Sequence, residues 1–289
     1  MKRFRKWIFY IAFTLAVMGC FLYFLFPSET FKGALSTYLL KTFPAYQIEI
    51  GRLRPVLPAG LGFESVDIFQ RGRLWARIDR ITVLPKFTTL LSPKKTINFR
   101  GSAYAGTLGG HIDINQRDNK SQTEVVLKLS EIDLTEIQNL QEALQRKLSG
   151  SLNGMVTMVH SSGSGPNMKG KLDLSGVRLE FSNPIIKIEA VSLNDVAAEF
   201  NVNKKVFSMK RLEAMGGQIE GNLTGTIIIR RPFERSRLNL RGAFLPQEML
   251  MASMQGILPG NLFKQRQTGA KGMPIRIYGT IEKPRFSFR

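Results

Sequence analysis

The sequence predicts a mainly β protein in which one N-terminal transmembrane helix precedes a long curved antiparallel β-sheet with a few short helices. Apolar and polar residues alternate in about 14 short runs, many of which end at glycine, and alternation of this kind is typical of strands. Because the runs are joined by turns too short for crossovers of about a dozen residues, we expect antiparallel pairing. A sheet of so many strands must curl or split.

The N-terminal helix is predicted from an unbroken apolar run at residues 7–26. A span of the hydrocarbon layer needs about 20 apolar residues. Because positively charged flanks stay in the cytoplasm, we expect a cytoplasmic flank at 1–6, a transmembrane anchor at 7–26 and a periplasmic β-rich domain at 27–289. The flank contains four cations: Lys2, Arg3, Arg5 and Lys6.

Two other interpretations of this segment stay open. A cleaved signal peptide usually has an apolar region of roughly 7 to 15 residues and a small-residue cleavage site, whereas this run is longer and ends in bulky residues. Residues 17–20 resemble a lipobox with Cys20 as the acylated residue, but six more apolar residues follow Cys20 where a polar tether would begin. The pattern favours an uncleaved helix.

Residues 28–43 show apolar side chains at helical spacing with Ser28 as N-cap, which predicts a short amphipathic helix. Alternating runs then predict strands at 46–51, within 53–69 and at 73–84. The last run has one slip near Asp79 that could be a bulge.

Glycines mark two hairpins in the remaining strand-rich sequence. Residues 97–114 form two alternating runs joined through Gly106, with Gly109 and Gly110 in the second run. A similar pattern recurs at 214–229, where a small residue and a double glycine, Gly216 and Gly217, precede an alternating run. We interpret this similarity as a weak internal repeat of glycine hairpins.

Two further helices are predicted between the strands. Residues 131–150 carry apolar residues at spacings of three and four, with a capping box from Thr135 to Gln138 and Gly150 closing the helix. A last helix, rich in methionine, is expected from Pro246 to Gly256.

The amino-acid composition indicates which kinds of partner the protein is expected to bind. The 289 residues carry a formal net charge of +19, and the only cysteine lies in the apolar run, so the rest of the chain cannot form an internal disulfide. A strongly basic protein favours polyanions, either nucleic acid or anionic lipid head groups. An exported chain has little access to DNA, and no nucleic-acid-binding motif is present. We therefore expect a membrane and phospholipid, and not nucleic acid, among the partners.

The sequence lacks the motifs of a catalytic site. His111 and His160 have no Cys, Asp or Glu at ligand spacing, which favours surface residues over metal ligands. The G-x-S-x-G pattern before Pro166 lies in a polar turn without the flanking strand and helix of a nucleophile elbow. We therefore expect a protein that is not an enzyme, with no catalytic, metal-binding or cofactor-binding residues.

A resemblance rests on five stretches: the N-terminal apolar run, residues 57–68, residues 101–110, residues 133–154 and the ending IYGTIEKPRFSF. Together they resemble the type II secretion system protein N family, and more distantly the AsmA-like proteins. The first likeness implies an inner-membrane protein of a Gram-negative cell that contacts other secretion subunits. The AsmA-like branch implies a curved sheet with an apolar trough for lipid acyl chains. Neither brings catalytic residues.

Two function classes therefore stay open. One is an inner-membrane-anchored periplasmic accessory component of a type II secretion system, with a scaffolding or assembly role. The other is an AsmA-like lipid-binding or lipid-transfer protein of the cell envelope. The predicted helices have too few apolar positions to cover the sheet. Either the sheet closes on itself, or a trough containing Ile227 and Ile229 is filled by lipid or by a partner subunit.

Overall fold

The structure is a computed structural model that describes residues 2–42, 44–57, 59–89, 92–117, 120–144, 146–161, 165–185, 188–247 and 272–287. Its helices are α1 (Lys2–Phe24), α2 (Ser28–Thr42) and α3 (Gln138–Leu144), and short 3₁₀ helices lie at Phe87–Thr89, Leu134–Glu136 and Phe233–Arg235. The strands are β1 (Tyr46–Val56), β2 (Gly60–Gln70), β3 (Arg73–Pro85), β4 (Lys94–Ala103), β5 (Gly106–Arg117), β6 (Lys120–Asp133), β7 (Lys147–Ser161), β8 (Asn167–Ile185), β9 (Ile188–Asn203), β10 (Val206–Gly217), β11 (Ile219–Ile228), β12 (Arg237–Pro246), β13 (Met273–Thr280) and β14 (Pro284–Ser287).

The strands form one long antiparallel sheet in which hydrogen-bonded neighbours follow the order of the chain from β1 to β14. This confirms the mainly β, antiparallel part of the predicted fold. The chain divides into two compact units, the first made of Met1–Pro85 with Asn98–Ser102 and the second of Lys86–Ile97 with Ala103–Arg289.

The predicted transmembrane anchor at residues 7–26 was wrong. Helix α1 begins inside the charged flank, so that Lys2, Arg3, Arg5 and Lys6 share one helix with the apolar residues, and it ends at Phe24, before the apolar run ends. Across the described ranges, no helix is long and apolar enough to cross a membrane. This finding does not support the single-pass topology.

In the first unit, α2 begins at the predicted Ser28 and has Glu29 in its first turn and Lys41 in its last, which suits the helix dipole. The Nζ of Lys32 donates a hydrogen bond of 3.0 Å to the carbonyl oxygen of Gly51, which ties α2 to β1. A helix is thus confirmed at nearly the predicted bounds, whereas Phe31 and Tyr38 of its predicted apolar side are exposed.

The break in alternation that the sequence shows near Asp79 is not a β-bulge. Ile78 pairs with Val66 and Ile81 pairs with Phe63, so both strands pass through the slip in register. Ser65, opposite Asp79, has a φ of 54° and absorbs the change in alternation. The register shift between β2 and β3 lies instead at Ile68 and Phe69.

The helix predicted at residues 131–150 was mostly wrong. Residues up to Asp133 belong to β6, and β7 begins at Lys147, so Gly150 lies inside a strand. The Asp133 carboxylate accepts a hydrogen bond of 2.8 Å from the backbone N–H of Thr135, which makes Asp133 the cap of a 3₁₀ turn. Cross-strand pairing prevailed over the helical spacing in this segment.

The last predicted helix lies mainly outside the described residues. Its proposed first residue, Pro246, is the final residue of β12, where it pairs with Ile219. Residues 248–271, which hold the rest of that prediction, are not described.

Candidate functional site

The second unit contains a patch on one face of strands β8 to β13 that is made only of apolar residues and glycines, and we call this patch the apolar face. Pairing across these six strands arranges its 24 residues in four rows, with one residue per strand in each row. The rows are Met168, Val202, Phe207, Ile227, Leu238 and Gly279; Gly170, Phe200, Met209, Gly225, Leu240 and Ile277; Leu172, Ala198, Leu212, Leu223, Gly242 and Ile275; and Leu174, Val196, Ala214, Gly221, Phe244 and Met273.

Glycines on this face make room for aromatic rings and for the neighbouring backbone. A Cβ placed on Gly170 would lie 2.3 Å from the Cζ of Phe200, so the Phe200 ring lies over Gly170. The Phe200 ring also stacks on Phe207, with centroids 5.3 Å apart and an interplanar angle of 17°. At Gly225 the φ is 138° and an added Cβ would lie 2.2 Å from the carbonyl oxygen of Asn239. Larger residues at Gly170 or Gly225 would therefore disturb the face.

Most of the apolar face remains partly open to solvent. Leu240 and Met273 are buried, whereas Phe200, Phe207 and Ile227 are half-buried. In the second unit, the described α-helix is α3, which packs on β7. In the described part of the second unit, then, α3 has no extensive contact with strands β8 to β13.

The two predicted trough residues differ in their positions. Ile227 lies in the first row, between Phe207 and Leu238. Ile229 follows the last residue of β11, and its backbone N–H donates a hydrogen bond of 2.7 Å to the carbonyl oxygen of Lys205. Ile228 lies between them on the opposite face and is 45% exposed.

The predicted glycine hairpins exist, but the glycines have different roles from those expected. The turn between β4 and β5 is made by Tyr104 and Ala105, which have φ values of 52° and 58°, so the runs are not joined through Gly106. Gly106 is the first residue of β5, where an added Cβ would lie 2.5 Å from the carbonyl oxygen of Glu131. Gly109 and Gly110 lie inside β5, opposite Lys128 and Leu127.

The second hairpin has its double glycine at the end of β10. Gly216 and Gly217 end β10 with φ values of 69° and 84°, which side chains rarely adopt. An added Cβ on Gly217 would also lie 2.5 Å from the carbonyl oxygen of Ser192. These two positions therefore require glycine.

Cationic residues gather at one end of the apolar face, and we call them the cationic end. The β9–β10, β11–β12 and β13–β14 connections all lie at this end because the strands are antiparallel neighbours. The connections are held together: the Arg230 N–H donates to the Oγ of the fully buried Ser236 at 3.0 Å, and the Ile281 N–H donates to its carbonyl oxygen at 3.1 Å. Their exposed cations are Lys204, Lys205, Arg230, Arg231, Arg235 and Lys283, beside the acidic Glu234 and Glu282.

On the opposite, polar face, two pairs of charged side chains neutralise each other. Arg178 pairs with Glu180 at 3.3 Å, and Arg211 pairs with Glu213. The hydrogen bond from Arg211, together with its charge, lowers the pKa of the Glu213 carboxyl.

A buried carboxylate in β5, Asp113, has several polar partners. Asp113 accepts hydrogen bonds from Lys94 Nζ at 2.8 Å and from Thr96 Oγ1 at 2.6 Å, while His111 Nε2 lies 3.8 Å away. Burial alone would raise the pKa of Asp113, but the hydrogen bonds from Lys94 and Thr96 outweigh burial and lower it. The hydrogen bond to Asp113 in turn raises the pKa of Lys94.

These polar groups form a structural ion pair rather than an arrangement with a free nucleophile. His160, the second histidine, lies opposite Thr123 on β6. Within the described residues, no cluster of three or more His, Cys, Asp or Glu side chains could hold a metal ion.

Sequence reasoning identified Ile227 but missed the face around it. The sequence signal for this face is apolar or glycine residues at every second position, as in Gly170, Leu172 and Leu174. It recurs in six consecutive strands, with one shift in β10 between Met209 and Leu212. The row that each residue joins depends on strand register, which the sequence alone does not supply. Comparison of the chain with protein-family models, curated proteins and solved structures finds no match in any of the three.

Proposed function

We propose that this protein is a non-catalytic accessory component of a bacterial type II secretion system, in which the apolar face binds another subunit during assembly or scaffolding. The observation that carries the proposal is the set of four unbroken apolar rows across β8 to β13. The resemblance of the sequence to the type II secretion protein N family supplies the kind of partner. The proposal places the sheet in the periplasm.

The size of the apolar face supports a binding role. Six strands about 4.8 Å apart, with four residues at roughly 6.8 Å intervals along each, cover on the order of 500 Å². Contiguous apolar patches above a few hundred Å² usually mark interaction sites. Apolar surface removed from water contributes about 25 cal/mol per Å², so even partial cover would stabilise a complex by several kcal/mol before the costs of association.

A second candidate function is AsmA-like binding or transfer of phospholipid. It is favoured by the position of the cationic end next to the first row of the apolar face, since Phe207 follows Lys205 by two residues and Arg237 precedes Leu238. Acyl chains on the apolar face would leave a phosphate-bearing head group near these cations. Charge-assisted hydrogen bonds to phosphate are among the stronger polar contacts.

Neighbouring isoleucines provide the test, because Ile227 lies on the apolar face and Ile228 on the polar face. In cells that carry the native secretion genes, Ile227→Asn should reduce both secretion and co-purification of secretion subunits, while Ile228→Asn should leave both unchanged. Full-length protein purified in mild detergent is analysed for phospholipid by mass spectrometry. Bound phospholipid that Ile227→Asn removes, with secretion intact, would favour the second candidate, and equal behaviour of both variants would contradict both.

A further inference from the structure

Two arginines face each other on the polar face without an acidic partner. Arg241 of β12 is paired directly with Arg276 of β13. Side chains paired in this way have Cβ atoms about 5 Å apart, and like charges directly opposite are destabilising. Within the described residues neither guanidinium makes an ion pair, in contrast to Arg178 and Arg211 on the same face.

The surroundings of the two arginines form a cavity. A cavity of about 580 Å³ is lined by both arginines together with Pro274, Tyr278 and Ser287. The guanidinium carbon of Arg276 lies 5.9 Å from the centroid of the Tyr278 ring, a cation–π contact that orients the charged group. The Tyr278 and Ser287 hydroxyls add possible donors to the same space.

We propose that Arg241 and Arg276 form a binding site for a phosphate group. A phosphate monoester carries about −1.5 to −2 charges at neutral pH, which matches two guanidinium charges, whereas a single carboxylate would leave one unmatched. Guanidinium groups present paired N–H donors that suit phosphate oxygens. The site lies on the face opposite the apolar face, so this role goes beyond the proposed function. The phosphate belongs either to a soluble molecule or to a lipid head group.

The test uses full-length protein in mild detergent, with inorganic phosphate as the probe in calorimetry and thermal unfolding. We expect phosphate to raise the melting temperature of the wild type, and Arg241→Gln and Arg276→Gln each to weaken phosphate binding at least tenfold. Arg178→Gln removes the same charge from an ion-paired position on the same face and should bind as the wild type does. Equal phosphate responses in all three variants, or none in the wild type, would overturn the site.

Three further measurements keep the outcome clear. Without phosphate, Arg276→Gln should melt no lower than the wild type, because the substitution relieves repulsion, and Arg276→Lys should keep the charge but lose affinity. Flotation with phosphatidic acid vesicles, compared with phosphatidylcholine vesicles, shows whether the bound phosphate belongs to a lipid head group or to a soluble molecule. Vesicle binding that requires both arginines assigns the phosphate to a lipid head group, and phosphate binding without vesicle preference assigns it to a soluble molecule. If substitution of the arginines removes neither phosphate binding nor vesicle binding, the proposal is wrong.

Discussion

The two faces of strands β8 to β13 are formed by alternating residues of the same six strands, yet they differ in what their side chains contact. On the polar face, charged side chains form ion pairs with each other, as Arg178 does with Glu180 and Arg211 with Glu213. On the apolar face, rings and aliphatic side chains lie side by side and most are half-buried, as Phe200 and Phe207 are.

This difference shows which face depends on a partner. Ion pairs on an exposed face are satisfied with water around them and gain little from further contacts. Half-buried apolar rows, in contrast, gain free energy whenever another surface covers them. The apolar face is therefore the one from which we infer binding. On the polar face, the direct pairing of Arg241 with Arg276 contrasts with the two ion pairs.

The largest expected effect is a difference in stability between substitutions at two adjacent residues on opposite faces, Gly225 and Thr224. Gly225→Val should lower the free energy of unfolding by about 3 kcal/mol or more, because the positive φ and the contact with the Asn239 carbonyl oxygen both exclude a side chain. Thr224→Val, on the exposed polar face, should change it by less than about 0.5 kcal/mol. Urea unfolding of both variants measures the difference, and similar midpoints would show that the glycine is not required.

A smaller effect is expected from the stacked rings. Phe200→Ala should cost about 2 kcal/mol, less than the 3–5 kcal/mol typical of a fully buried phenylalanine, because Phe200 is half-buried. The control is Val206→Ala, an apolar residue on the polar face that is 38% exposed. Thermal unfolding should show a clear loss for Phe200→Ala alone, and an equal loss in both variants would remove the distinction between the faces.

Low pH should lower the stability of the fold through protonation of the Asp113 carboxylate. Because hydrogen bonds lower the pKa of Asp113 in the folded state, its contribution to stability is present above the unfolded pKa of about 3.9 and is lost as pH falls through the folded pKa. Asp113→Asn should therefore reduce stability at neutral pH and flatten its decline below about pH 4. The free energy of unfolding is measured from pH 7 to pH 2 for the wild type and the variant. A parallel decline of the two curves would contradict this prediction.

The smallest effect is expected for an exposed ion pair. Both side chains of the Arg178–Glu180 pair are about half exposed, at 55% and 47%. Removing it with Arg178→Gln should change the free energy of unfolding by less than about 0.5 kcal/mol, as is usual for surface pairs. A loss of several times that amount in urea unfolding would mean that the polar face contributes more to folding than its exposure indicates.

Much of the sheet could be predicted from the sequence because strand alternation is a local property. The segment after Asp133 shows where local patterns failed. The Gln141 side chain donates hydrogen bonds to the carbonyl oxygens of Leu134 and Leu148, at 2.8 and 2.7 Å, and accepts one from the Leu148 N–H at 2.6 Å. These bonds tie α3 to the start of β7, which pairs with β6 and β8 in place of a longer helix.

The candidate sites depended on information that no local pattern contains. Ile227 could be singled out as an apolar strand residue, but its neighbours Phe207 and Leu238 are fixed by register. The pairing of Arg241 with Arg276 likewise depends on how β12 pairs with β13, although residues 247–272 separate the two strands in the chain. Register is set by the whole set of turns and cross-strand contacts, so these juxtapositions appear only in the folded chain.

The central claim is that the apolar face is the binding surface, and site-specific photo-crosslinking in cells tests it most directly. A photoreactive amino acid is placed at Ile227 in one variant and at Ile228 in another, which puts the probe on opposite faces of the same strand. We predict that position 227 crosslinks to a secretion subunit or to phospholipid, with little product from position 228. Equal products from both positions, or products from position 228 alone, would contradict the claim.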